Sequence, residues 1–135
     1  MFSQFEIVKQ DNLIYSINKE EKTASIIGYQ EENSHLIIRR SIIYEMNEYI
    51  ITKISQNAFK FAFAESIIFS DNLELETIEK SALYFSDMKS LTIPKSLINL
   101  EERWCDTALE LTNIKISPEN PRYRLYEDKL IIGKS

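Results

Sequence analysis

The side chains able to do chemistry are few and far apart in this chain. His35 is the only histidine and Cys105 the only cysteine in 135 residues. A single imidazole removes two-histidine metal sites and leaves one thiol as the nucleophile that a His-dependent mechanism could activate. His35 precedes the apolar run Leu36-Ile37-Ile38, so it reads as an exposed residue at a strand start. Cys105 follows Trp104, and a free cysteine in such company behaves as a small buried hydrophobe. The two fall at opposite ends of the periodic segments described below, and catalysis is not expected of them. Gly133-Lys134-Ser135 copies the end of a phosphate loop, but Asp128 stands where the upstream glycine is required.

Carboxylates are plentiful: Glu20-Glu21, Glu31-Glu32, Glu101-Glu102, and Glu74 with Glu76. A hydrolase built on them is the remote alternative, because glycoside hydrolysis needs two carboxylates facing each other across a cleft. These pairs sit in polar stretches, where solvated surface is the expectation. Arg39-Arg40 and Arg122/Arg124 are too sparse for a nucleic-acid track, and 16 Lys and Arg against 21 Asp and Glu leave a net charge of −5. Neither a metal nor a cofactor is expected from one His, one Cys and scattered acids, and an enzyme is not expected.

The elements that would position these residues are rich in core material. There are 21 Ile, 12 Leu and a single Val, with 15 aromatics, two Gly and three Pro. A chain of this length buries about two-thirds of its unfolded surface and forms one domain without disulfides. The apolar runs, such as Leu36-Ile37-Ile38, are far too short to span a bilayer, so membrane insertion is not expected. Met1-Phe2-Ser3-Gln4-Phe5-Glu6 lacks the basic start of a secretion signal, which on sequence alone places the chain in the cytoplasm.

Self-similarity organises most of the chain. Ile67-Ile68-Phe69-Ser70 is followed by Leu91-Thr92-Ile93-Pro94 and Ile114-Lys115-Ile116-Ser117, at steps of 24 and 23, and Leu36 to Ile42 is an earlier copy. Ile54-(x3)-Ala58-Phe59, Ile78-(x3)-Ala82-Leu83 and Leu100-(x3)-Trp104-Cys105 keep the same beat, at steps of 24 and 22. The first set alternates at period two, as a half-buried strand does. The second brings apolar residues together at i and i+4, as a helical turn does. One short strand and one short helical turn per 22–24 residues is a solenoid unit, since neither buries its apolar side without neighbours. Ile67, Phe69, Leu91, Ile93, Ile114 and Ile116 are expected to face the core, with Ala58 and Ala82 where the turns pack close. Leu13 to Ile17 and Ala24 to Tyr29 read as an antiparallel hairpin, and Ile43 to Thr52 as a smaller one. After Ser117-Pro118-Glu119-Asn120-Pro121, Tyr123 to Ile132 reads as a terminal strand pair turning at Asp128-Lys129.

These motifs resemble the BspA-like leucine-rich repeat proteins. Ile54-(x3)-Ala58-Phe59, Ile78-(x3)-Ala82-Leu83 and Ser90-Leu91-Thr92-Ile93-Pro94 match the repeat. Leu111 to Pro121 followed by Asp128 to Lys134 is similar to that family's insertion between blocks of repeats. Two departures stand out. Ala62 and Ser86 occupy the region where the family often carries a Cys, and Arg39 replaces a Pro after the first strand.

The resulting expectation is an α/β repeat solenoid, a horseshoe-like stack of short parallel strands and short helical turns with an N-terminal β-hairpin cap. It forms a single leucine-rich-repeat domain over 1–135. Residues 10–52 supply the hairpins and first strand, 53–117 the repeats, and 118–135 the terminal insertion and strand pair. Parallel stacking aligns Ile37, Ile68, Thr92 and Lys115 on the outer strand face, flanked by Arg39, Ser70 and Ser117. Such faces bind partners in solenoids. A non-enzymatic module binding a protein partner is therefore expected. The resemblance implies adhesion or a surface-antigen role and tilts the location to the cell surface. The alternative is the N-terminal cap and first repeats of a longer scaffold with no site of its own. The C-terminal edge at Leu130-Ile131-Ile132, guarded by Lys129 and Lys134, is expected to pair with another chain.

Overall fold

Leu13, Tyr15 and Ile17 alternate with Ile14, Ser16 and Asn18, a period of two that gives an extended segment one apolar face. In the computed structural model this segment is β2 (Leu13–Asn18), the middle of an antiparallel meander with β1 (Phe5–Gln10) and β3 (Thr23–Tyr29). The structure describes residues 3–30, 35–62, 66–70, 72–84, 86–105, 111–126 and 130–133. Asp11 and Asn12 join β1 to β2 with φ of 51° and 67°, the left-handed pair that a two-residue hairpin of matching twist requires. The second hairpin, β5 (Ser41–Tyr44) and β6 (Asn47–Ile54), turns at Glu45 and Met46 with φ of 48° and 67°. Glu6 ties the two hairpins together, pairing with Lys19 at 2.7 Å and accepting a hydrogen bond from the Tyr44 hydroxyl. Those two partners hold the Glu6 carboxyl below the usual carboxylate range.

The repeats stack as expected. β4 (His35–Ile38), β7 (Ser66–Phe69), β9 (Ser90–Ile93) and β11 (Asn113–Ile116) form a four-stranded parallel sheet in the order β11-β9-β7-β4. β8 (Thr77–Ile78) and β10 (Asn99–Leu100) run parallel to β6, extending the larger sheet to the order β1-β2-β3-β6-β8-β10, with β5 beside β6. β3 is also parallel to β6, and the register slips between Ala24↔Ile51 and Ser25↔Lys53, so Thr52 is the extra residue of a bulge. The result is a β-solenoid of about three coils. Leu36, Ile38, Ile67, Leu91 and Ile93 bury against Ile26, Ile51, Ile54 and Ile78 in one continuous core. Phe69, Ile114 and Ile116 are partly buried at its margin.

The short helical turns are not there. Among the described residues no helix forms, and 56–61, 80–84 and 102–105 are successions of tight turns. Ile54 and Ile78, assigned by the i, i+4 spacing to helical turns, are the last residues of β6 and β8. The reason lies in where the amides go. Ala58 and Ala82 donate back three residues, to Ser55 O at 3.1 Å and Glu79 O at 3.2 Å. Phe59 and Phe61 instead donate to Ala82 O and Tyr84 O of the next coil, at 2.8 and 3.0 Å. Ser81 and Leu83 donate likewise to Arg103 O and Trp104 O, at 3.0 and 2.9 Å. A helix needs consecutive amides bonding within their own segment, and here alternate ones leave it. Asn57, Phe61, Ser81 and Arg103 take φ of 58–62°, which turns those groups outwards. Ala58 and Ala82 are fully buried in this layer, where a larger side chain would push the coils apart.

The C-terminal segment is the strand pair read over Tyr123 to Ile132. β12 (Tyr123–Tyr126) and β13 (Leu130–Gly133) pair antiparallel with each other, so Leu130 to Ile132 is not a further rung of the parallel ladder, which ends at β11 and β10. The expected turn at Asp128-Lys129, and Lys134, lie outside the described residues. Asn120, 0% exposed, anchors the segment. Its Nδ2 donates to Pro94 O at 2.8 Å and Leu97 O at 3.0 Å, and its Oδ1 accepts from Arg122 and Tyr123 N–H, both at 2.8 Å. The Tyr123 hydroxyl then accepts the Leu100 N–H at 2.8 Å, covering β10.

Two stability predictions follow from these side chains. Asn120→Ala removes the side-chain partner of the Leu97 carbonyl and of the Arg122 and Tyr123 amides, and urea denaturation should record a loss of about 2–4 kcal/mol. Ser86, buried at 3% exposure, has a hydroxyl with no hydrogen-bond partner among the described residues. Ser86→Cys replaces that hydroxyl with a weakly polar thiol of similar size, and the same measurement should show a gain of about 1 kcal/mol.

Candidate functional site

Side chains alternate across the four-stranded sheet, so Leu36, Ile38, Ile67, Leu91 and Ile93 point inwards and the residues between them point to solvent. Ile37 partners Ile68, and Lys115 partners Thr92. The Ser66↔Ser90 pairing, carried two residues along, sets Ile68 beside Thr92. Ile37 is 45% and Ile68 49% exposed, and Thr92 and Lys115 are exposed as well. Arg39, Ser70 and Ser117 follow the strand ends, with Ser70 N–H donating to Ile38 O and Ser117 N–H to Ile93 O, both at 2.9 Å. Ile37, Ile68, Thr92 and Lys115 therefore share one face, with Arg39, Ser70 and Ser117 just past the strand ends. Apolar surface lies at the β4–β7 end and hydroxyls with an ammonium at the β9–β11 end. Before the column stand His35, Ser66, Ser90 and Asn113, where His35 Nδ1 meets Ser66 Oγ at 2.7 Å.

The sequence reading missed a wall on this face. The Asp11-Asn12 turn stands beside β4 and, with His35, Ile37 and Arg39, lines a hollow of about 180 Å³. An Asp-Asn step between two extended runs was the available signal, but only the second run reads clearly as a strand. Tyr15 lies in the core, with its pKa pushed up to about 12 by burial and by the Asp11 carboxylate, against a lowering by Arg39. A second hollow, of about 330 Å³, lies on the outer face of the larger sheet, where Ser16, Ser25, Thr52, Lys53, Glu76 and Thr77 give it a polar lining.

Two of the acids that suggested hydrolysis, Glu101 and Glu74, make bonds within the coils, as Glu79 does. Glu79 Oε1 accepts Gln56 N–H at 3.0 Å, and Glu101 Oε1 accepts Lys80 N–H at 2.9 Å, the same bond in successive repeats. Glu74 pairs with Arg40 at 2.6 Å. Glu31 and Glu32 lie outside the described residues. Among the described residues, no group of three or more His, Cys, Asp or Glu is placed to hold a metal ion. Cys105 is half-buried beside the buried Trp104.

Short parallel strands stacked in register, a turn layer bonded from coil to coil and a hairpin cap define a leucine-rich-repeat solenoid. Solved structures share this architecture. The pneumococcal vaccine antigen PcpA superposes with a TM-score of 0.62 at 16% identity, over 86% of this chain and 39% of that one. A leucine-rich repeat protein from Bacteroides capillosus superposes with a TM-score of 0.51 at 18% identity, over 82% of this chain and 65% of that one. This chain thus spans less than two-thirds of either. No family model and no curated protein matches the sequence. The resemblance read from the repeat motifs holds in the fold, which is that of leucine-rich repeat proteins.

Burial of Tyr15 sets an alkaline limit on this fold. Its phenol stays protonated to about pH 12 when folded and ionises near 10 in an unfolded chain. The unfolded state releases its proton first, so the stability from Tyr15 is whole below pH ~10 and drains away as pH rises towards 12. Tyr15→Phe should show a shallower loss of denaturation midpoint over that interval than the wild-type chain.

Proposed function

We propose that this chain is a non-enzymatic protein-binding module that contacts its partner through the outer face of the four-stranded sheet. The contact residues are Ile37, Ile68, Thr92 and Lys115, with Arg39, Ser70 and Ser117 along the margin. The observation that carries this reading is the pair of half-exposed isoleucines, Ile37 and Ile68, side by side on a face whose other exposed positions are polar. Apolar groups held together on an outer face mark contact patches. A rigid parallel ladder also presents them without an ordering cost on binding. Arg39 at one margin and Lys115 at the far end suit a partner segment with an apolar centre and acidic flanks. Adhesion at a cell surface is the setting that the repeat resemblance favours.

The relatives that share the fold are longer, which favours a second reading. In it, the chain is the cap and first coils of an extended scaffold whose binding surface continues beyond it. The reading frame downstream of Ser135 distinguishes the two, since a scaffold would continue in the same 22–24-residue rhythm.

Substituting Ile68→Lys and Thr92→Lys tests the site. Both positions are exposed, so circular dichroism and melting temperature should be unchanged. Affinity for a partner isolated with the wild-type chain should fall by roughly tenfold or more if these residues lie at the centre of the contact. Unchanged affinity would move the interface off this face.

A further inference from the structure

The larger sheet begins at β1, whose only strand partner among the described residues is β2. At six residues it is the longest edge strand among the described residues. Lys19 N–H donates to Gln4 O at 2.7 Å, and Gln10 faces Leu13 across the two-residue turn. Antiparallel pairs alternate between bonded and non-bonded, so Gln4, Glu6, Val8 and Gln10 bond to β2. The main-chain groups of Phe5, Ile7 and Lys9 therefore point away from the sheet. Of these, the Phe5 N–H is taken by Ser3 Oγ at 3.1 Å. The same three residues carry their side chains on the outer face, where Phe5 is 54% and Ile7 59% exposed. Sheet edges are ordinarily blunted by proline, bulges or several charges. β1 has no proline, its pairing with β2 runs without a register shift, and only Lys9 guards the outer row. The opposite edge is closed, because β10 is two residues long and the Tyr123 hydroxyl holds the Leu100 N–H.

We propose that β1 pairs antiparallel with β1 of a second copy of this chain, about a two-fold axis through Ile7. The strand is self-complementary in that register. Ile7 meets Ile7, and each Phe5 meets the Lys9 of the other copy, an apolar contact flanked by two ammonium–ring contacts. On the inner row each Glu6 faces Val8, and Glu6 is already neutralised by Lys19. A slide of two residues brings Val8 or Glu6 to the axis and separates Phe5 from Lys9, and a slide of four, with Lys9 on the axis, sets two ammonium groups against each other. Sliding the other way, to Phe5, shortens the pairing. Ile7 N–H and C=O then exchange both bonds with their mates, and Lys9 N–H donates to Phe5 O in each direction. The interface leaves the four-stranded sheet and its outer face untouched, so it is independent of the function proposed above. It uses a different edge from Leu130-Ile131-Ile132, where the sequence alone suggested pairing.

Sedimentation velocity across a concentration series tests the pairing, with circular dichroism confirming that each variant is folded. The wild-type chain should pass from monomer to dimer. Ile7→Lys and Ile7→Glu, each of which places like charges on the axis, should each weaken self-association by roughly tenfold or more. An equimolar mixture of these two variants should dimerise again, because opposite charges then meet at the two-fold. Ile131→Lys should leave the dimer intact. A strictly monomeric wild-type chain at the highest concentration would overturn the proposal. So would a dimer that survives Ile7→Lys, or one lost on Ile131→Lys.

Discussion

The hydrogen bond from a turn amide to a carbonyl of the next coil is the interaction on which the rest of this molecule depends. Phe59 to Ala82, Ser81 to Arg103 and Leu83 to Trp104 make it in successive layers, at 2.8, 3.0 and 2.9 Å. Each coil is too short to satisfy its own backbone, and an unpaired buried amide costs about as much as a lost hydrogen bond. The coils therefore stand or fall together, and their spacing is fixed by the backbone rather than by side-chain size. Fully buried Ala58 and Ala82 follow from that spacing, as do the repeated carboxylate bonds of Glu79 and Glu101. The hairpin cap extends the same logic at one end, through β3 lying parallel to β6. Asn120 does so at the other, by filling main-chain valences of Pro94 and Leu97.

Fixed spacing also shapes the outer face. Because β4, β7, β9 and β11 stack in register, a residue's place in its repeat determines which neighbours it has on the surface. Ile37 and Ile68 are 31 positions apart in sequence, a longer step than the others because the β5–β6 hairpin intervenes, yet they are adjacent in space. The outer face can thus change composition residue by residue without altering its geometry.

Much of this was legible in the sequence, and the reasons are local. The Leu-x-Ile triplets announced strands because period-two burial needs only three residues to show itself, and their 23- and 24-residue steps announced the stack. The column of exposed residues followed from register alone. The turn layer was misread because i, i+4 spacing is shared by a helical turn and by a strand end followed by tight turns. Only the destination of the amides separates them, and side-chain pattern does not record it. β1 escaped notice because Val8 is its single buried residue, leaving the alternation too weak to stand out. The role of Asn120 was hidden for another reason. A polar residue between two prolines reads as exposed loop until the carbonyls of the previous coil are seen around it.

Native-state hydrogen exchange tests the coil-to-coil ladder most directly. If the turn amides are held by neighbouring coils, those of Phe59, Ser81 and Leu83 should exchange as slowly as the strand amides of β7 and β9, in a single cooperative opening. Ala58 and Ala82, which donate only within their own turn, belong to the same coils and should open with them. Fast exchange at Phe59, Ser81 and Leu83, with slow exchange confined to the strands, would show that the turns are held locally and would contradict the ladder.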